Sequence, residues 1–206
     1  MSFKARSAVT LTQGCIVVAV LLLESACAAG ARDRVLANSL ANDETREAAI
    51  ASIVASGRPK VPLLLSWARK APIQNECGLF TGLADALGRL KTKEAIPFLI
   101  RNISEYRSCG VSLAPWLKAP EVIEWNLPAV GALVRIGPDS SKALMTAFPQ
   151  MTGEEDRRAA IFVISRINGV PEARGFLESA MARASRERYW AEEGIKSLGT
   201  DPARNK

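Results

Sequence analysis

The side chains that carry most enzyme chemistry are thinly supplied in this 206-residue sequence. It holds no histidine, which removes His-based triads, imidazole acid–base catalysis near neutral pH and histidine metal sites. Carboxylates are plentiful, but no Asp/Glu pair stands apart from the general surface charge, so no acid–base couple is assigned. No catalytic residue, metal ligand or cofactor site is read from the chain. Three arginines, Arg89, Arg135 and Arg166, close successive apolar stretches. Stacked side by side they would form a row able to grip carboxylates or phosphates; the alternative is that each pairs with a local acid such as Asp85. Trp116 and Trp125, with Pro115 and Pro120, lie in a segment from Ser108 to Trp125 that reads as an insertion. Aromatic rings held by prolines make a rigid contact surface, unless both indoles pack back onto the following helices. Trp67 and Trp190 read as core and cap residues.

These residues must be positioned by helices. Aromatic content is only 6% against 48% apolar residues, and a chain rich in Ala, Leu and Ile favours helix over strand. Apolar positions recur at the helical period: Phe80, Leu83, Leu87 and Leu90 share one face, as do Ile96, Leu99, Ile100 and Ile103. Ala160, Ile164 and Ile167 face Phe176, Leu177, Ala180 and Met181 in the same way. Between the stripes stand short breaks, Gly57-Arg58-Pro59, Gly137-Pro138-Asp139 and Asn168-Gly169-Val170-Pro171, which end one helix and start the next. Thr152-Gly153-Glu154-Glu155 has the spacing of a capping box. The pattern predicts a leading helix over about 31–41, helical hairpins at about 43–70, 76–104, 127–148 and 153–184, and a last helix over about 186–198.

The helix ends repeat. Leu87-Gly88-Arg89-Leu90-Lys91, Leu133-Val134-Arg135-Ile136-Gly137 and Ile164-Ser165-Arg166-Ile167-Asn168 are alike, and Ile195-Lys196-Ser197-Leu198-Gly199 keeps the Leu and Gly. Equivalent positions Leu90, Ile136, Ile167 and Leu198 step by 46, 31 and 31 residues, and Ala48 to Leu65 matches Leu83 to Ile100 at a step of 35. With Ala95-Ile96-Pro97-Phe98-Leu99-Ile100 and Ala129 to Gly137, these stretches resemble HEAT and HEAT-like repeats over about residues 43–198. The chain departs from that pattern in the insertion, in keeping only Asp139 of the usual turn aspartates, and in the small residues Ala48, Ala49, Ala51 and Ala55 of its first hairpin. The resemblance implies an all-α fold, a short α-solenoid of stacked hairpins spanning residues 29–199, each hairpin burying its apolar face on the next.

In such a hairpin Cys77 and Cys109 stand at the same end, within reach of a disulfide. That bond suits an oxidising compartment, and the N-terminus points to one. Lys4 and Arg6, the apolar run Cys15 to Leu23, and Ser25-Ala26-Cys27-Ala28-Ala29 follow the order of a secretory signal covering residues 1–28. A retained anchor and lipidation at Cys27 are the alternatives, although Glu24 interrupts the lipobox. The expected location is exported, periplasmic or secreted, with membrane attachment only if this segment is retained or lipidated. Without it the formal charge falls from +6 to +5 through loss of Lys4, Arg6 and Glu24. Acids are interspersed with the bases, so no nucleic-acid site is expected; residues 200–206 form a tail.

HEAT-like proteins mostly act as scaffolds or binding surfaces, so the resemblance implies a non-enzymatic protein-binding module whose partner is another protein. A HEAT-like enzyme is the second expectation. Deoxyhypusine hydroxylases are excluded by their histidine ligands. Bilin lyases stay open on repeat similarity, and alkylpurine glycosylases on the set Trp116, Trp125 and Glu124, though export fits neither. An anionic polymer is the third expected partner.

Overall fold

The computed structural model describes residues 30–70, 77–107, 119–181, 191, 192 and 194–196. The targeting segment 1–28, the stretch 108–118 with Cys109 and Trp116, Trp190, and the tail 200–206 lie outside the described residues. The chain divides into two units, Met1–Ser39 and Leu40–Lys206. In the first, residues 30–39 are helical, the opening part of helix α1 (30–41).

The second unit is all helix among its described residues. In chain order it holds α2 (Asp43–Ser56), α3 (Val61–Lys70), α4 (Cys77–Arg89), α5 (Ile96–Arg101), α6 (Pro120–Asn126), α7 (Pro128–Ile136), α8 (Pro138–Ala147), α9 (Glu154–Asn168) and α10 (Val170–Met181). α2 starts where the Asn42 side-chain oxygen accepts the Glu44 N–H at 2.8 Å, satisfying a donor the first turn leaves open. Arg46, buried in the same helix, donates to the carbonyl oxygens of Leu40 and Ala41, both at 2.9 Å. The Gly/Pro breaks end helices as expected: Gly57, Gly137 and Gly169 all adopt positive φ, and Pro120, Pro128 and Pro138 open the helices that bear them. α4 ends differently. Lys91 takes φ 50° where the ends of α2, α7 and α9 have glycine, and the N–H groups of Lys91 and Thr92 donate to Gly88 and Leu87, each at 3.0 Å. α9 opens from Gly153 without a side-chain cap, so the expected Thr152–Glu155 box is not formed.

The open row of hairpins is not. Residues Phe80 to Gly88 of α4 and Pro128 to Leu133 of α7 are buried without a break. A helix enclosed on every side is the centre of a bundle, whereas each helix of a solenoid keeps a strip toward solvent. α4 and α7 form the most extensive helix pair, and α7 also touches α5, α6, α8 and α9. Gly88 permits the close approach, since a Cβ there would lie 2.7 Å from the Cα of Ala132. α2 and α3 pack chiefly on α4, while α5 packs chiefly on α7 and α8. α5 has only six residues against thirteen in α4, too short to serve as the second rod of a hairpin.

The unit Leu40–Lys206 is therefore a globular helical bundle, and the expected HEAT-like α-solenoid is corrected to that. The similar helix ends record similar packing needs, with an apolar residue facing the centre and an arginine just outside it. The scaffold and the enzyme that the repeat resemblance implied both depended on the solenoid and fall with it. Edge-to-face ring pairs close the layers, Phe80 with Phe98 at 5.8 Å and Phe148 with Phe176 at 5.5 Å. Among the described residues no single helix is long and apolar enough to cross a membrane.

Candidate binding face around Arg107 and Trp125

Asp85 lies two turns into α4 with its side chain only 11% exposed. A carboxylate so far removed from water needs charged partners, and it has two. Arg107 Nη2 donates to Oδ2 at 2.9 Å, and Arg135 Nη1, from α7, to Oδ1 at 3.4 Å. Arg107 follows α5 and is held at several further points. Its Nε donates to the Trp125 carbonyl oxygen at 2.7 Å, its backbone N–H donates to Asn126 at 2.8 Å, and its guanidinium stands 5.0 Å from the Trp125 ring centroid. One side chain thus ties the central helix to the last turn of α6, whose carbonyls have no helical partner.

The indole it supports is open. Trp125 is 61% exposed, and Val122, one turn earlier on α6, is also exposed. Positions three apart on a helix share a face, so the two make one apolar patch. Gly131 brings α7 against α6: a Cβ there would lie 2.7 Å from the Glu124 carbonyl oxygen and 3.6 Å from Arg135 Nη1.

Each arginine of the expected row meets an acid on a different helix. Arg89 grips both carboxylate oxygens of Glu47 on α2, at 2.6 and 2.8 Å. Arg166 Nε donates to Glu124 on α6 at 2.8 Å. Arg135 shares Asp85 with Arg107. The Glu47 carboxyl is held below the usual range, first by the Arg89 hydrogen bond, with burial opposing and the charges of Arg89 and Arg135 adding. Arg89 is shifted upward, chiefly by its hydrogen bond to Glu47, and it also feels Asp85. Arg89 and Arg135 thus belong to one electrostatic network, in which Arg89 has Glu47 to itself and Arg135 has only the carboxylate it shares with Arg107.

Cys77, at the start of α4, is disulfide-bonded, with its Sγ 3.4 Å from the Arg107 carbonyl oxygen. The expected Cys77–Cys109 bridge is not found among the described residues, because Cys109 lies outside them. Trp116 is outside them too, and Trp67 is half-buried. The sequence did not single out Arg107, the hub of the face, nor Glu47. Their partners are distant in the chain: Arg107–Asp85 spans 22 residues and Arg89–Glu47 spans 42, separations that no local period displays. Among the described residues no group of three or more His, Cys, Asp or Glu side chains is arranged to hold a metal. No known family, curated protein or solved structure matches the chain.

Proposed function

We propose that this protein is an exported, non-enzymatic binding protein that docks another protein on the α6 face, with Trp125 as the anchor. The observation that carries this reading is the exposure of Trp125 together with its fixed position. Exposed indoles enrich interfaces because they offer a large apolar area with few rotors to freeze. Here the Arg107 stack limits those rotors further, and the hydrogen bond to the Trp125 carbonyl oxygen holds the guanidinium in place for it. The reading rests on this local patch and on no repeat surface. Export rests on the N-terminal signal pattern, and the absence of a catalytic step on a histidine-free sequence. A polyanion partner is less well supported, since Arg89 and Arg166 are each committed to a carboxylate.

A photo-crosslinking residue at Val122 in the full-length chain, expressed in its own cell, tests the proposal. A discrete, protease-sensitive adduct that vanishes on Trp125→Ala is expected. Equal labelling from a control position at Lys142, or an adduct indifferent to Trp125, would remove the reading.

A further inference from the structure

Arg135 is the one member of the arginine row without a carboxylate of its own. Arg89 holds Glu47 through two bonds and Arg166 holds Glu124 through one at 2.8 Å. Asp85 is already engaged by Arg107 at 2.9 Å, leaving Arg135 a single contact at 3.4 Å. That is long for a charged N–H···O pair, which settles near 2.7–2.9 Å. Among the described residues, the guanidiniums of Arg89, Arg107, Arg135 and Arg166 meet the three carboxylates of Glu47, Asp85 and Glu124. One positive charge is left over, and the geometry assigns it to Arg135. Its side chain is 41% exposed, which leaves it open to a ligand from solvent.

We infer that Arg135 captures a carboxylate of the docked partner, so that the face selects an acidic protein segment carrying an apolar side chain beside the acid. The inference rests on the proposed docking at Trp125 and names the chemistry of what docks. A guanidinium presents paired N–H groups that match a carboxylate, and its charge is here unmatched. Arg107 stacks on Trp125 and shares Asp85 with Arg135, so the indole and the Arg135 guanidinium are joined through one carboxylate, a separation that a short peptide spans. The apolar half of the site favours a peptide over a polyphosphate or acidic polysaccharide, which has nothing to set on an indole. Arg107 is less suited to the capture, because its Nε and Nη2 already donate to the Trp125 carbonyl oxygen and to Asp85, and its guanidinium lies against the indole.

Selection of a randomised displayed peptide library on the full-length protein tests this. The expected consensus has Asp or Glu next to Leu, Ile, Phe or Trp. For a peptide so selected, Arg135→Gln and acid-to-amide replacement should each weaken binding about tenfold. Trp125→Ser should weaken it as well, and Lys142→Gln on α8 should leave it nearly unchanged. Unaltered thermal melting of Arg135→Gln shows that the loss is not unfolding. Peptides that need Trp125 but carry no acid would overturn the inference and leave the docking reading standing. Enrichment indifferent to Trp125, or no enrichment at all, would overturn both. Inorganic polyphosphate binding that survives Trp125→Ser and is lost in Arg135→Gln would replace the acidic segment with a polyanion.

Discussion

Arg107 stacks its guanidinium 5.0 Å from the ring centroid of Trp125 while donating to that residue's own carbonyl oxygen at 2.7 Å. One face of the indole is thereby committed to the protein and the other left to solvent. An exposed cation–π contact contributes only about 0.5–1 kcal/mol, so the stack does little for the fold. Its consequence is orientation: a ring free to swing would lose that freedom on binding, and the stack removes part of that cost beforehand.

The same arginine is costly to remove for a different reason. Arg107→Met leaves the Asp85 carboxylate, 11% exposed, with only the long contact to Arg135, and leaves the Trp125 carbonyl unpaired. The expected destabilisation is about 2–4 kcal/mol, read as a lower urea midpoint at constant slope. Adding Asp85→Asn to that variant should cost less than the two single losses combined, since the stranded charge is gone. Strict additivity in the cycle would show that the pair is not coupled.

Much of the local structure is legible in the chain, and the assembly is not. Gly137-Pro138 and Gly169 mark where helices stop because the demand they answer, a left-handed residue then a free N1 position, is local. The sequence did not single out Asn42 as the cap of α2, although that demand is equally local. The short helix α6 is not legible either, since seven residues framed by Pro120 and Pro128 give too little period to read and look like an insertion. The solenoid expectation failed at α4 and α7. Gly82 and Gly88 read as ordinary small residues of a helix, yet each marks a place where another backbone comes within contact, closing the centre on all sides. The site divides likewise: the arginine row is visible as a repeat, but Arg107 acquires its role only through partners on α4 and α6.

Lys91 has the positive φ that the ends of α2, α7 and α9 give to glycine. At φ 50° a side chain bears a steric cost of about 1 kcal/mol or more that glycine avoids. Lys91 is exposed, so its removal forfeits little. Lys91→Gly should therefore raise stability by about 0.5–1 kcal/mol after the added unfolded-state entropy is deducted, whereas Lys91→Ala should change it by much less. Chemical denaturation of the two variants side by side decides the matter, and equal effects would show that the left-handed backbone is not the cause.

The Glu47–Arg89 pair sets a pH dependence with a definite sign. The Glu47 carboxyl is held below its ordinary value chiefly by the Arg89 hydrogen bond, so the folded state binds its proton less readily than the unfolded state. Its contribution is present above the unfolded value, about 4.3, and is lost as pH falls through the lower folded value. Both side chains are well exposed, which limits the gain to a few tenths of a kcal/mol. Melts of Glu47→Gln should fall slightly below those of the parent at pH 7 and converge with them in acid. High salt at pH 7 should close the same gap.

Two glycine-to-alanine changes of identical chemistry should move stability in opposite directions. Gly175 lies in α10, exposed, with nothing within 4 Å of where a Cβ would stand. Alanine there gains helix propensity, and about 0.5–1 kcal/mol of stabilisation is expected. Gly88 lies in α4, also helical, but its Cβ would meet the Cα of Ala132 at 2.7 Å and its Cβ at 2.9 Å. Backbone cannot step aside as a flexible side-chain end can, so α4 and α7 must separate along their shared seam. Overpacking of that kind costs about 1–3 kcal/mol, more than the propensity gain returns. Denaturation of both variants against the parent gives the two signs directly. A stabilised Gly88→Ala would mean that α4 and α7 are not pressed together at the centre of the bundle, and the enclosed pair on which the architecture rests would have to be given up.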